Sequence, residues 1–155
     1  MRLKHMTKDK INHRGRGPRT QLTRQPVQGR ANDGGLRIGE MERDSIIGHG
    51  MAAMLQDSLM NRSDDFKLAV CNTSGTIAVY NEARDVFLSP YHDGPLTFDK
   101  GEEGGVNNTT VQRHGTSFSI IRVPYSFKLL WQELQAMNIA MYVITCLLYT
   151  SDAAD

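Results

Sequence analysis

Apolar residues recur at near-helical spacing through the middle of the chain, and this pattern predicts one long helix from about Gly39 to Met60. The positions that set the spacing are Ile47, Met51, Met54, Leu55 and Leu59. Gly48 and Gly50 interrupt the run, and glycine inside a helix lowers its stability relative to alanine. We therefore expect this part of the helix to pack closely against a neighbouring element.

A second helix is predicted near the end of the chain, where Pro124 supplies a suitable first turn for "PYSFKLLWQELQAMN". Its apolar face consists of Phe127, Leu130, Trp131 and Leu134. We expect Trp131 to be a packing anchor and not a binding platform. The first 14 residues have a thin apolar side and predict a short helix that ends before Gly15.

Runs rich in β-branched residues predict strands in other parts of the chain. The run "KLAVCNTSGTIAVYN" predicts a hairpin around "NTSG". Single strands are predicted for "TQLT", "DVFLSP", "LTF", "TSFSIIRV" and "MYVIT". The polar residues 99–110, "DKGEEGGVNNTT", predict a flexible loop. The combination of helices and a hairpin indicates an α+β fold.

The formal net charge of +1 conceals an asymmetry along the chain. Residues 1–30 contain nine lysine and arginine residues but one carboxylate, that of Asp9, and carry a local charge of +8. The rest of the chain carries −7. A basic arm on an acidic body predicts a polyanionic partner for the arm, although a disordered basic tail would have the same composition.

Arginine and glycine are interleaved between residues 14 and 30, where five arginines accompany three glycines. Guanidinium groups bind phosphate through paired hydrogen bonds, and glycine-rich turns bring backbone amides close to phosphate oxygens. The stretch contains no obvious helix for reading base edges, so it predicts contact with a nucleic-acid backbone without sequence preference. A basic loop that docks on a protein is the alternative.

Several classes of protein are excluded. The sequence has no window of 18 apolar residues for a membrane span, and "MRLKHMTKDK" lacks the apolar core of a secretory signal. Two cysteines, Cys71 and Cys146, are too few for a disulfide scaffold, so we expect an intracellular protein without a membrane partner. Residues 146–155, "CLLYTSDAAD", resemble an in-frame translation of a transposase sequencing adapter. We expect these ten residues to be an artefact on a fragment of a longer chain.

Three segments of the chain resemble the C-terminal part of the second-largest, or beta-family, subunit of multisubunit DNA-directed RNA polymerases. They are "RLKHMTKDKINHRGRGP", "LTRQPVQGRANDGGLRIGEMERDSIIGHG" and "VPYSFKLLWQELQAMNI". The resemblance implies that residues 1–38 end the hybrid-binding domain and carry a basic switch loop, "RQPVQGRANDGG". Residues 39–145 would form the clamp and anchor region with a long helix, a β-hairpin and a C-terminal helix, packed on the largest subunit.

The same resemblance implies DNA-templated nucleotidyl transfer from nucleoside triphosphates. The catalytic Mg²⁺ would be held by aspartates of the largest subunit, so neither a catalytic nor a metal-binding residue is expected in this segment. His5 would lie near the incoming triphosphate, and Lys10 near RNA phosphates. The expected contacts with the template and the RNA–DNA hybrid are Lys4, Lys10, Arg14, Arg16, Arg24 and Arg30.

The cysteine pattern departs from that family. Cellular eukaryotic and archaeal relatives typically carry two zinc-binding Cys-x-x-Cys pairs. In this chain Cys71 is present, but Ser74 replaces the second cysteine of the first pair, and the second pair is missing. A structural zinc ion needs four good ligands, so we expect this segment to bind no zinc. The zinc-free hairpin and the "SPYHDGP" insertion resemble the subunit of giant DNA viruses. The resemblance implies the nucleus for a cellular subunit, or the virion and host cytoplasm for a viral one.

Two functions remain open at the level of the sequence. One is a polymerase segment that faces nucleic acid. The other is a free-standing, non-catalytic RNA- or DNA-binding module. An upstream reading frame that continues into a much longer polymerase subunit would distinguish them.

Overall fold

The computed structural model describes residues 3–84, 86–92, 96–100, 106–108 and 118–145. The chain divides into two compact units. The first comprises residues up to Asp65 together with Pro124–Ser126, and the second comprises Phe66–Val123 together with the residues from Phe127 onward. Helices and antiparallel strands both occur, which confirms the α+β prediction. The suspected adapter residues lie outside the described part.

The first unit contains two short helices, α1 (Glu40–Gly48) and α2 (Ala52–Leu59), in place of the single long helix that the sequence predicts. The chain leaves α1 through Gly50, whose φ of +67° is costly for any residue with a side chain. The amide of Gly50 donates to the carbonyl of Ile47, and that of Met51 to the carbonyl of Ile46. This pair of bonds is a Schellman motif, which ends a helix by satisfying its last carbonyls.

The predicted N-terminal helix is also absent. Residues 3–13 are largely exposed and, apart from a 3₁₀ turn at Thr7–Asp9, have no regular structure. The amide of Lys10 closes this turn on the carbonyl of Thr7 at 3.0 Å. Isolated helices shorter than about 12 residues are marginal in water, and no buried apolar face compensates in residues 3–13. The predicted strand "TQLT" is a turn, and the isolated bridge beside it joins Arg19 to Pro26.

The second unit is built on two small sheets. Strand β1 (Asp65–Cys71) pairs with β6 (Phe118–Pro124). The other sheet has the order β2 (Val79–Asn81), β3 (Val86–Leu88), β4 (Leu96–Lys100) and β5 (Val106–Asn108), with antiparallel neighbours throughout. The predicted loop at residues 99–110 therefore contains the end of β4 and all of β5.

The predicted hairpin around "NTSG" is confirmed. The amide of Ala78 donates to the carbonyl of Ala69, the amide of Cys71 donates to the carbonyl of Thr76, and Val70 is bridged to Ile77. The predicted strands at "DVFLSP", "LTF" and "TSFSIIRV" are also observed. The segment "MYVIT" is not a strand. Its backbone joins the hairpin turn through an isolated hydrogen bond from the amide of Val143 to the carbonyl of Gly75.

Helix α3 (Tyr125–Ala136) begins directly after Pro124, as predicted. Within the second unit its Trp131 is 1% exposed and packs in one apolar cluster with Leu68 and Val70. This confirms the tryptophan as a packing anchor. A second cluster surrounds Phe87, whose ring stacks on that of Phe118 at 4.1 Å between centroids.

No described helix is long and apolar enough to cross a membrane. All apolar residues that are buried in the described part of the chain lie in the second unit. The first unit, which carries the basic segment, is therefore held together by other means.

Candidate nucleic-acid interface

The basic segment folds into a loop that two arginines fasten from inside, and we call residues 14–35 the clamped loop. The guanidinium of Arg14 donates through Nη1 to the carbonyl oxygen of Asp33 at 2.5 Å and through Nη2 to that of Pro18 at 2.9 Å. These bonds connect the beginning of the loop to its end. They follow from the fork geometry of the guanidinium, which can bridge two acceptors at once.

Arg30 fastens the far side of the clamped loop to the N-terminal segment. Its Nη1 donates to the carbonyl oxygen of Asp9 at 2.5 Å, and its Nη2 donates to that of Lys8. Both acceptors lie at the end of the 3₁₀ turn, where carbonyl groups lack backbone partners and favour a cation. Arg30 therefore joins two stretches that lie more than 20 positions apart in sequence.

Tight backbone turns shape the end of the clamped loop. The amides of Gly34 and Gly35 donate to the carbonyls of Gly29 and Val27, both at 2.9 Å. Gly29 has φ +99°, and Asp33 adopts the left-handed conformation at φ +52°. Gly34 lies against backbone, because a Cβ at this position would be 2.5 Å from the carbonyl oxygen of Val27.

Arg24 faces an aromatic ring. Its guanidinium carbon lies 4.2 Å from the ring centroid of Tyr125, within the range of a cation–π contact. Arg24 holds a positive φ of +54°, which is uncommon for a residue with a side chain. The neighbouring Ser126 donates its amide to Oδ2 of Asp64 at 2.9 Å, so the start of α3 is capped within the same unit.

The remaining candidate contact residues have exposed side chains with no hydrogen bond or ion pair to another residue that the structure describes. They are Lys4, His5, Lys10 and Arg16. The acceptors of Arg14 and Arg30 are backbone carbonyls, and neither guanidinium forms an ion pair with a described carboxylate. The structure thus divides the six predicted contacts into Arg14, Arg24 and Arg30, which have internal partners, and Lys4, Lys10 and Arg16, which face solvent.

The sequence signal for these internal partners is weak. Arginine and glycine at these positions are equally compatible with phosphate binding, and the carbonyls that Arg14 and Arg30 use lie outside any regular pattern. The signal that could have been read is the shortage of apolar residues in the loop, because a loop without an apolar core must be held by polar links.

The hairpin in the second unit carries the thiol of Cys71, which is the one cysteine that remains of the zinc-binding pair expected from the family resemblance. The described residues include no group of three or more histidine, cysteine, aspartate or glutamate side chains that could hold a metal ion. Cys71 is fully buried, and the hydroxyl groups of Ser74 and Thr76 lie 2.8 Å apart in the adjoining turn. Burial raises the pKa of the Cys71 thiol, but hydrogen bonds from the Ser74 side chain and from nearby groups outweigh burial and bring that pKa below its ordinary value.

Two family models match consecutive parts of the chain. Residues 1–32 match the model described as RNA polymerase Rpb2, domain 6, and residues 34–146 match that described as RNA polymerase Rpb2, domain 7. The chain belongs to the Rpb2 family of second-largest RNA polymerase subunits. The clamped loop spans the junction of the two matches.

Similar curated proteins come from eukaryotes and archaea. The chain is 46% identical over 143 residues to DNA-directed RNA polymerase II subunit RPB2 of Encephalitozoon cuniculi, an alignment that covers 90% of this chain and 10% of that protein. It is 42% identical over 144 residues to DNA-directed RNA polymerase II subunit 2 of Arabidopsis thaliana, an alignment that covers 93% of this chain and 10% of that protein. It is 41% identical over 143 residues to DNA-directed RNA polymerase subunit Rpo2 of Saccharolobus shibatae, covering 92% and 11%. The chain thus spans about a tenth of the length of these relatives.

Proposed function

We propose that this Rpb2-family segment holds the RNA–DNA hybrid and the template strand near the active centre of a DNA-directed RNA polymerase. The observation that carries the proposal is the set of exposed basic side chains of Lys4, Lys10 and Arg16, which form no ion pair with a described residue. Arg14 and Arg30 bind backbone carbonyls through their guanidinium groups, and the exposed ends of the other three suit a surface that attracts phosphate. The match to consecutive polymerase domains favours this function over a free-standing module.

The chemistry of the complete enzyme would be nucleotidyl transfer from nucleoside triphosphates. In this proposal His5 lies near the incoming triphosphate, where an imidazole can donate a hydrogen bond to a phosphate oxygen. Lys10 neutralises RNA phosphate as a point charge. Catalytic Mg²⁺ is held by aspartates of the largest subunit, and this segment supplies none of its ligands.

The largest subunit is the proposed protein partner of the first unit. Apolar side chains on α1 and α2 are exposed in this chain, and Met41 is 83% exposed. Burying such a face against another subunit removes apolar surface from water, which stabilises the assembly. The cellular site would be the nucleus, as for a eukaryotic polymerase II, or the virion and host cytoplasm if the viral subtype holds.

A salt titration tests the proposal. Binding of an RNA–DNA scaffold to the assembled polymerase is measured for the parent enzyme and for variants at Lys4, Lys10 and Arg16, over a range of salt concentrations. We expect each lost phosphate contact to reduce the slope of log K against log salt by about 0.9. A scaffold of scrambled sequence serves as the control and should bind equally well.

Two results would contradict the proposal. One is a slope of log K against log salt concentration that is the same for all variants and for the parent enzyme. The other is a strong preference for one scaffold sequence, which would require base contacts that a phosphate-binding surface lacks.

A further inference from the structure

We propose that residues 141–145 form a strap that fastens the hairpin turn of residues 71–76, the task that a structural zinc ion would otherwise perform there. The turn follows β1, and the strap follows α3 in the sequence. Turn and strap both lie in the second unit. The inference goes beyond the proposed function and does not depend on the nucleic-acid contacts.

The side chains of the hairpin turn do not fit a structural zinc ion. Cys71 is fully buried and packs in the apolar cluster around Phe87, so its side chain is part of the core. The hydroxyl of Ser74 lies 2.8 Å from that of Thr76, so the two hydroxyls bond to each other. A neutral hydroxyl is a much poorer zinc ligand than a thiolate or an imidazole. The turn must therefore be held by bonds of another kind.

The bonds within the turn fix its shape. The amide of Gly75 donates to the carbonyl of Cys71 at 2.8 Å, and the amide of Cys71 donates to the carbonyl of Thr76 at 3.0 Å. Gly75 has φ +66°, a conformation that glycine adopts without a steric penalty. These bonds are local, so by themselves they do not attach the tip of the turn to the rest of the unit.

The strap supplies this attachment. The amide of Val143 donates to the carbonyl of Gly75 at 2.8 Å, and Oγ1 of Thr145 donates to the carbonyl of Asn72. The second bond joins residues that are 73 positions apart in the sequence. Because the two carbonyls lie three positions apart, the strap holds the turn at two separate points.

The strap is itself anchored in the core of the second unit. Met141 and Val143 pack against the apolar cluster that contains Trp131, whereas the residues on either side of Val143 are 61% and 79% exposed. This alternation is that of an extended chain with one face on a core. The strap thus connects the hairpin turn to the buried face of α3.

Hydrogen exchange on the assembled polymerase tests the strap. The reporters are the amides of Cys71 and Gly75, and the amides in the middle of α3 are the internal control. We expect Thr145→Val, which keeps the branched shape but lacks the hydroxyl donor, to exchange about fivefold faster at the reporters. Thr145→Ser is the matched control, because it keeps the donor and should exchange like the parent.

A zinc-selective chelator provides the second arm of the experiment. A turn that is held by the strap should exchange at the same rate before and after chelation. The rates at the reporters are compared with those in α3, so that a loss of structure elsewhere in the polymerase is recognised.

Three results would overturn the inference. Parent-like exchange in Thr145→Val would show that the hydroxyl does not hold the turn. Equal acceleration at the reporters and in α3 would show that Thr145 stabilises the whole unit and not the turn. Faster exchange at the reporters alone after chelation would show that a metal ion holds it. The proposed function would survive each result, because its test measures scaffold binding and not the hairpin turn.

Discussion

At the scale of single residues, the same type of side chain has different surroundings within a few positions. Arg14 bridges the carbonyls of Asp33 and Pro18, whereas the side chain of Arg16, two residues later, is exposed and has no internal partner in the described part of the chain. The difference arises because only Arg14 reaches the carbonyls where the loop closes. Residue type alone therefore does not separate a cation with internal partners from an exposed one.

His5→Ala tests the position proposed for the N-terminal segment. We expect the variant to use nucleoside triphosphates less well, by about 1–3 kcal/mol, the usual loss when a hydrogen bond to a charged group is removed. Single-nucleotide addition on a preformed scaffold, measured across triphosphate concentrations, checks this. Lys10→Ala, the comparison variant, should shorten transcripts by loosening the hybrid. An unchanged triphosphate curve for His5→Ala would show that this segment lies away from the active centre.

Gly34→Ala tests the tight turn of the clamped loop. The added methyl group would lie 2.5 Å from the carbonyl oxygen of Val27 and 2.7 Å from that of Gly29, so backbone must move. We expect a local destabilisation of about 1–3 kcal/mol, as in other overpacked sites. Faster exchange of the Gly35 amide in the assembled subunit is the measurement. Gly15→Ala is the matched control, because a Cβ there meets nothing within 4 Å.

At the scale of elements, helix ends are set by local backbone chemistry. Besides the motif at Gly50, α3 ends in a second Schellman motif, in which the amides of Asn138 and Ile139 donate to the carbonyls of Gln135 and Leu134. Asn138 has φ +63°, and asparagine is the residue after glycine that most readily adopts this conformation. Both signals are visible in the sequence. The long-helix prediction was wrong because it weighted apolar spacing above the glycines.

A pair of glycine substitutions tests the role of the left-handed residue. A Cβ on Gly48 or on Gly50 would meet nothing within 4 Å, but of the two only Gly50 has a positive φ. Gly48→Ala should stabilise α1 by about 0.5–1 kcal/mol, and Gly50→Ala should destabilise it by about 1 kcal/mol. Amide exchange in α1 measures both. Equal effects of the same sign would show that the left-handed residue does not end the helix.

We expect the hairpin that begins with β1 to bind no zinc. Ser74 lies three positions after Cys71, where a second thiol would be needed, and the described residues contain no metal-binding cluster. One thiol cannot supply the four ligands of structural zinc. We expect elemental analysis of the purified subunit to find no zinc bound by this segment. A stoichiometric zinc that disappears in Cys71→Ala would contradict this.

At the scale of the whole molecule, the two units differ in what holds them. The second unit has apolar clusters around Trp131 and Phe87, whereas the first has no buried apolar side chain among its described residues. The first unit instead exposes apolar side chains, of which Leu36 and Met41 are each 83% exposed. Small units with little apolar burial are marginally stable. The first unit is therefore expected to depend on a partner.

Isolation of the 155-residue chain tests this dependence. We expect the isolated chain to lack nucleotidyl transfer activity and to show rapid amide exchange throughout α1 and α2, with protection confined to the β1 region. Assembly into the polymerase should protect both helices, because their apolar faces become buried. The contrary finding would be equal protection of α1 and α2 in the isolated chain, or polymerase activity without other subunits.

The sequence by itself determined several features of this protein. It predicted the α+β class, the hairpin at Cys71, the strand before Pro124 and the helix anchored by Trp131, because each depends on local pattern and turn chemistry. Its family resemblance was confirmed by the matches along residues 1–32 and 34–146. The proposed nucleic-acid contacts remain predictions.

Only the tertiary structure decided how the basic segment is held. The bonds from Arg30 to the carbonyls of Lys8 and Asp9 span more than 20 positions, and the contact of Arg24 with Tyr125 joins residues much farther apart in the chain. No local pattern encodes such pairs, because a guanidinium can satisfy any carbonyl or phosphate that the fold brings within reach. The sequence determines the charge of the segment, whereas the orientation of each charged side chain depends on long-range contacts.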